Sequence, residues 1–125
     1  RCGVAGAPVI DWHLYDTAYT ERYLGRPQDN PTRYVGSSVL HRVAQLDRPV
    51  LVVHGLVDEN VHFRHTARLL GALAEADRDV ELLLFPEERH GERHPAAKRQ
   101  RQRRALAFFC RHLGRPLPPE LRADA

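Results

Sequence analysis

Three short apolar runs stand out along the chain, and helically spaced apolar positions fill the stretches between them. The clearest run is Val50 to Val53, an unbroken and mostly β-branched segment that reads as a strand buried on both faces. It breaks at His54-Gly55 into a polar turn carrying Asp58, Glu59 and Asn60, and a helical pattern resumes at Val61. Val80 to Phe85 is a second such run, ended by Pro86, and Cys2 to Val9 is a third, of small residues, ended by Pro8. Between the first and second strands in chain order, Asp11 to Gly25 predicts a helix with Trp12, Tyr15 and Tyr19 on one face, stopped by Gly25 and Pro27. Pro27 to Pro31 reads as loop. Ser37-Ser38 predicts the cap of a short helix through Leu46, with Val39, Val43 and Leu46 on one side. Phe63, Ala67, Leu70 and Ala74 mark the apolar stripe of the helix after Asp58. After the polar loop Glu87 to His94, Pro95 suits the first turn of a last helix. Leu106, Phe109, Cys110 and Leu113 form its predicted stripe, and Gly114 and Pro116 close it. Residues 1–114 read as one unit, and 115–125 as a frayed tail.

Strands alternating with helices predict an α/β architecture with a parallel sheet flanked by helices. A sheet of only about three strands leaves an edge uncovered. The sequence also contains no methionine. Both features lead to the expectation of a C-terminal piece of a larger protein, with further strands preceding Arg1.

Composition narrows the function classes. The chain has 125 residues, 42% hydrophobic and 28% charged, so it is globular rather than disordered. No apolar run approaches the roughly 20 residues that span a bilayer. The net charge is +3, with Lys98, Arg99, Arg101, Arg103 and Arg104 clustered together. No aromatic residue interleaves them, and they read as a solvated helix face rather than a nucleic-acid site. Cys2 and Cys110 define neither a disulfide framework nor a metal site and read as buried free thiols, which leaves the compartment open.

Asp58 and His90 are the candidate chemical pair. Each follows a strand, and in a parallel sheet both loops emerge at the same edge. A carboxylate beside an imidazole sets its tautomer and stabilises the imidazolium formed when His acts as base. In α/β-hydrolases the triad runs Ser, then Asp or Glu, then His, and this sequence supplies the last two in that order. No Gly-x-Ser-x-Gly occurs; the only serines are Ser37 and Ser38. The plain alternatives are a helix-capping Asp58 and a solvated His90. His62 with His65, and His90 with His94, have spacings that could hold zinc, but scattered surface histidines are the better reading, so neither a metal nor a cofactor is expected. Trp12, Tyr15 and Tyr19 read either as a core stripe or as an apolar wall for a flat substrate ring.

Three stretches carry a family likeness: Ala7-Pro-Val-Ile-Asp-Trp-His-Leu-Tyr-Asp-Thr-Ala-Tyr-Thr-Glu-Arg-Tyr-Leu-Gly25, His54-Gly-Leu-Val-Asp-Glu-Asn-Val-His-Phe63 and Glu88-Arg-His-Gly91. On these the chain resembles the prolyl oligopeptidase family of serine peptidases, in its dipeptidyl-peptidase IV subgroup, from Arg1 to about Leu113. The resemblance implies the C-terminal part of an α/β-hydrolase fold, with Asp58 as triad acid and His90 as triad base. It further implies that Val9, Trp12, Tyr15, Tyr19 and Val61 line the pocket for the residue before the scissile bond, usually proline. Asn60 matches a polar group that binds a substrate carbonyl. The family's serine elbow, its oxyanion tyrosine and its N-terminal propeller have no counterpart in these residues. The implied function is a fragment of a peptidase cleaving after proline or alanine near a peptide's N-terminus, inactive without the rest of its protein. The implied partners are a peptide substrate, that N-terminal remainder and a second copy in a homodimer. The alternatives are another hydrolase of this fold, such as an acylaminoacyl-peptidase or esterase, and a non-catalytic binding relative.

Overall fold

Three parallel strands form the centre of the computed structural model, which describes residues 1–121. They are β1 (Gly3–Gly6), β2 (Val50–Gly55) and β3 (Glu81–Phe85), with β2 in the middle. Gly3 is opposite Val50, and Leu51 is opposite Glu81. The sheet is open and flanked by helices, as expected for part of an α/β-hydrolase fold.

Strand alternation assigns the two faces of β2. Leu51 and Val53 face one way, into a core with Leu83, Phe85, Ala97 and Phe108. That core lies under α4 (Pro95–Leu113). Val52 faces the other way, against Ile10, Leu69 and Leu73, under α3 (Arg64–Glu75). Because β2 is covered on both sides, an unbroken apolar run suits it, and the sequence pattern located it to within a residue or two. His54 follows Val52 on the α3 face and is buried.

The helices depart from the predicted pattern in four places. The single helix expected over 11–25 is instead a 3₁₀ turn, Trp12–Leu14, and then α1, Thr17–Leu24. Asp11 caps the turn by accepting from the His13 N–H, and Asp16 caps α1 by accepting from the Tyr19 N–H. Two capping aspartates so close together favour two short elements over one. The helix expected from Ser37-Ser38 to Leu46 is also different. Pro31 opens α2 (Pro31–Ser37), Ser38 ends it, and Val39–Gln45 is 3₁₀. There Leu40, Val43 and Leu46 pack on the core, while Val39 is exposed.

On α3 the buried face is His65, Thr66, Leu69 and Leu73 rather than Phe63, Ala67, Leu70 and Ala74. Two of those residues are polar and are buried because they are hydrogen-bonded to neighbouring segments. On α4 the buried residues are Ala97 and Phe108, whereas Leu106 and Leu113 are exposed. Burying Phe108 contributes about 1.5–3 kcal/mol, and Phe109 packs against the same core. The predicted frayed tail is described only to Leu121, with a 3₁₀ turn at Pro119–Leu121; its last residues lie outside the described ones. Cys2 and Cys110 are free and half-buried. Among the described residues no helix is long and apolar enough to cross a membrane.

Candidate active site

Asp58 lies in the loop after β2 and His90 in the loop after β3, and the two side chains meet. Asp58 Oδ2 is 3.0 Å from His90 Nδ1. A carboxylate only accepts, so Nδ1 carries a proton and the ring presents Nε2 on its other side. The other oxygen, Asp58 Oδ1, accepts the N–H groups of Asn60 and Val61, both at 2.9 Å. These donors belong to its own turn; α3 begins later, at Arg64, and Asp58 is not its cap. The Asp58 side chain is 0% exposed and that of His90 44%. A carboxylate with its lone pairs committed in this way has one orientation, and the imidazole beside it stays accessible.

A second imidazole holds the acid loop from behind. His54 Nε2 is 2.8 Å from the Val61 carbonyl and 3.4 Å from Asp58 Oδ2. Both partners accept, so Nε2 carries the hydrogen and Nδ1, 2.7 Å from Thr66 Oγ1, accepts from the hydroxyl. Both ring nitrogens are thus satisfied although buried, and the ring ties β2, the Asp58 turn and α3 together. Sequence reading passed over His54. The signal that could have found it is a polar residue in register with Val52 on a strand buried on both faces.

The two loops are also stitched main chain to main chain. Leu56 N–H donates to Phe85 O at 3.0 Å and Val57 N–H to Glu88 O at 3.3 Å. Gly55 makes this closeness possible. A Cβ there would lie 2.2 Å from Glu88 O and 2.6 Å from Arg89 O. Glu88 itself is buried, and its carboxylate accepts the N–H groups of Arg93 and His94 and faces His94 Nδ1 at 2.5 Å. The Arg93 N–H does most to hold its carboxyl below the ordinary value, with the His94 contacts adding to it against the effect of burial. A cleft of about 250 Å³ opens beside His90, bounded by Gly6 and Ala7 at the end of β1 and by Val53 to Gly55.

Trp12, Tyr15 and Tyr19 come together, though across the break between the 3₁₀ turn and α1. Trp12 and Tyr19 stack at 5.9 Å, and Tyr15 meets both edge-on at 5.8 and 5.5 Å. Tyr19 is 49% exposed, so the cluster is a surface wall and not a core stripe. Tyr15 Oη donates to Asn60 Oδ1 at 2.6 Å, which joins the wall to the Asp58 turn. Val61, next to Asn60 in the chain, is buried, and Val9 is half-buried in the segment leading from β1. That segment is held by His65, whose Nδ1 accepts from the Ile10 N–H at 3.3 Å. Burial, and after it the Arg64 charge, hold the His65 imidazole below its ordinary value.

The zinc-like spacings come apart in space. His62 is exposed while His65 is buried, and His90 and His94 face different carboxylates, Asp58 and Glu88. Among the described residues no cluster of three or more His, Cys, Asp or Glu side chains is arranged to hold a metal.

Comparison with known proteins places this arrangement in a family. A family model described as the prolyl oligopeptidase family matches residues 1–116. Human dipeptidyl peptidase 8 is 39% identical over 117 residues, covering 91% of this chain and 13% of that protein. Cat dipeptidyl peptidase 4 is 42% identical over 94 residues, covering 73% of this chain and 12% of that protein. The crystal structure of Porphyromonas gingivalis dipeptidyl peptidase 4 superposes with a TM-score of 0.86 at 32% identity, over 89% of this chain and 16% of that one. The chain thus spans roughly an eighth of the length of these curated relatives, 13% and 12%. With a match running through β1, both site loops and α4, the chain belongs to the prolyl oligopeptidase family.

Proposed function

We propose that this chain is the acid-and-base portion of a serine peptidase that cleaves after proline or alanine near the N-terminus of peptides. The observation that carries the reading is the 3.0 Å contact from Asp58 Oδ2 to His90 Nδ1, beside an exposed aromatic wall. In the complete protein a serine from outside these residues attacks the substrate carbonyl. Neither Ser37 nor Ser38 fits that part, since their hydroxyls donate to the carbonyls of Arg33 and Ile10. His90 Nε2 takes the serine proton and returns it to the leaving amine. Asp58 keeps Nδ1–H in place and stabilises the imidazolium. The cleft between His90 and the ends of β1 and β2 is the place for the attacking group.

Trp12, Tyr15 and Tyr19, with Val9 and Val61, form the wall against which a compact apolar proline ring packs, and longer polar side chains lose their hydration there without compensation. Asn60, its Oδ1 taken by Tyr15, turns its amide N–H toward a substrate carbonyl.

The test is a substrate comparison with the complete protein. Ala-Pro-p-nitroanilide, an acylated peptide anilide and a p-nitrophenyl ester are assayed side by side. The expected order puts Ala-Pro-p-nitroanilide first in kcat/KM by at least about tenfold, the scale of one well-fitted apolar subsite. Preference for the acylated peptide or the ester would move the protein to another hydrolase class, and no turnover of any of them would leave a binding relative. The 125-residue chain assayed alone is expected to show no inhibitor-sensitive cleavage.

A further inference from the structure

We propose that Glu88 is a positioning residue for His90: its buried carboxylate closes the 88–94 loop on itself and thereby holds the imidazole against Asp58. The inference rests on the peptidase reading above. Glu88 is only 4% exposed, two residues before His90 in the chain. Its Oε2 accepts the Arg93 N–H at 2.6 Å, and its Oε1 accepts the His94 N–H at 3.3 Å and faces His94 Nδ1 at 2.5 Å. All three donors lie on the far side of His90, at the foot of α4. The Glu88 main chain is fixed on the near side. Its N–H donates to Phe85 O at 3.3 Å and its carbonyl accepts from Val57 N–H at 3.3 Å.

One residue therefore ties together β3, the Asp58 loop and the start of α4, and His90 sits on the arc between the tie points. The arc needs such a tie. Gly91 has a φ of 90°, and Arg89 and Gly91 form an isolated bridge, so the turn around His90 is tight. Among the described residues His90 has one side-chain hydrogen bond, to Asp58, and a side chain 44% exposed. Charge is what makes the tie effective, because a carboxylate accepts all of these donors at once, whereas an amide must turn an NH₂ group toward some of them. Loosening the arc moves His90 Nε2 relative to the attacking group, and displacements of about 1 Å cost on the order of a hundredfold in rate.

The experiment uses the complete peptidase, with active sites counted by end-point fluorophosphonate labelling and rates measured on Ala-Pro-p-nitroanilide. Glu88→Gln is expected to lower kcat per labelled site by about 10–100-fold while the inhibition constant of the product dipeptide Ala-Pro stays within about twofold. A merely structural role would reduce the number of labelled sites and leave kcat per site alone. His94→Gln is the second variant. It changes an exposed ring, leaves both backbone donors in place, and is expected to lower kcat per site about threefold, again with the Ala-Pro constant unchanged. If Glu88→Gln does not fold, His94→Gln decides. Unchanged kcat per site, or weakening of Ala-Pro binding by the same factor, overturns the positioning role. A parent enzyme that neither labels nor cleaves overturns the peptidase reading and this inference with it, an outcome distinct from an active parent with indifferent variants.

Discussion

The loop after β2 and the loop after β3 each carry half of the Asp58–His90 pair, and they are held in opposite ways. Asp58 is fixed locally. Its Oδ1 is taken by the N–H groups of its own turn, and His54 closes the turn from behind. The base loop is fixed at its ends, through Glu88, and its central side chain is left exposed. On the proposed peptidase reading, the difference follows from what each group would do. An acid that only orients its neighbour gains from burial and complete hydrogen bonding. A base must reach a nucleophile and exchange a proton with a leaving group, so it needs one open side.

Asp58→Asn is the sharpest way to break the acid half without breaking its loop. The amide oxygen can still accept from Asn60 and Val61, but the NH₂ group then faces His90 and His54 where an acceptor stood. The expected result is a fall in kcat of about four orders of magnitude, the size seen when a triad acid becomes an amide. Dipeptide binding should change little, as inhibition by Ala-Pro would report, while the buried NH₂ facing two N–H donors should lower the melting temperature read by circular dichroism. Next comes Gly55→Ala, which attacks the contact between the loops. The new Cβ has no space against Glu88 O and Arg89 O, both backbone atoms, so the loops must part. Activity is expected to fall about a hundredfold or more, with a loss of stability on the order of 1–3 kcal/mol from overpacking. Retention of full activity would mean that the loops can separate without moving His90.

What could be read from the sequence follows the same division. The strands were legible because β2 is buried on both faces and Val50 to Val53 is unbroken. The meeting of Asp58 with His90 was legible because parallel strands deliver their loops to one edge. The elements that depend on polar burial were not. Hydropathy spacing put Phe63, Ala67, Leu70 and Ala74 inside and left out His65 and Thr66, which are buried through hydrogen bonds to distant segments. The aromatic spacing was correct as a contact and misleading as a helix, since a 3₁₀ turn followed by an Asp16 cap brings the same rings together. Glu88 stood in a motif but gave no hint of its proposed role, because two of its three donors are backbone N–H groups.

Acid titration separates the holder of the aromatic wall from the holder of the base. The folded state keeps the His65 imidazole below its ordinary value, so the unfolded chain takes up the proton first and stability falls as pH drops below about 6.5. Glu88 is held below its ordinary value as a carboxylate, so its contribution is complete above about 4.3 and is lost only below that. His65→Gln should therefore flatten the decline in melting temperature between about pH 7 and 5 by on the order of a degree. Parallel curves for His65→Gln and parent would show that His65 carries no proton-linked stability.

The smallest effect is expected where the wall meets the acid loop. Tyr15→Phe removes only the Oη–H that donates to Asn60 Oδ1 at 2.6 Å, at an exposed site, and keeps the ring contacts with Trp12 and Tyr19. A hydrogen bond of this kind is worth about 0.5–1.5 kcal/mol net, or roughly two- to tenfold. If Asn60 serves the substrate carbonyl, that loss appears in KM for Ala-Pro-p-nitroanilide, with kcat nearly constant, because the freed amide must be reordered when substrate binds. The opposite split is equally informative. Asn60 also donates its backbone N–H to Asp58 Oδ1 at 2.9 Å, so a fall in kcat at constant KM would mean that Tyr15 acts along this path to steady the acid. The wall and the acid loop would then be one mechanical unit, and the local self-sufficiency of the Asp58 turn would have to be given up.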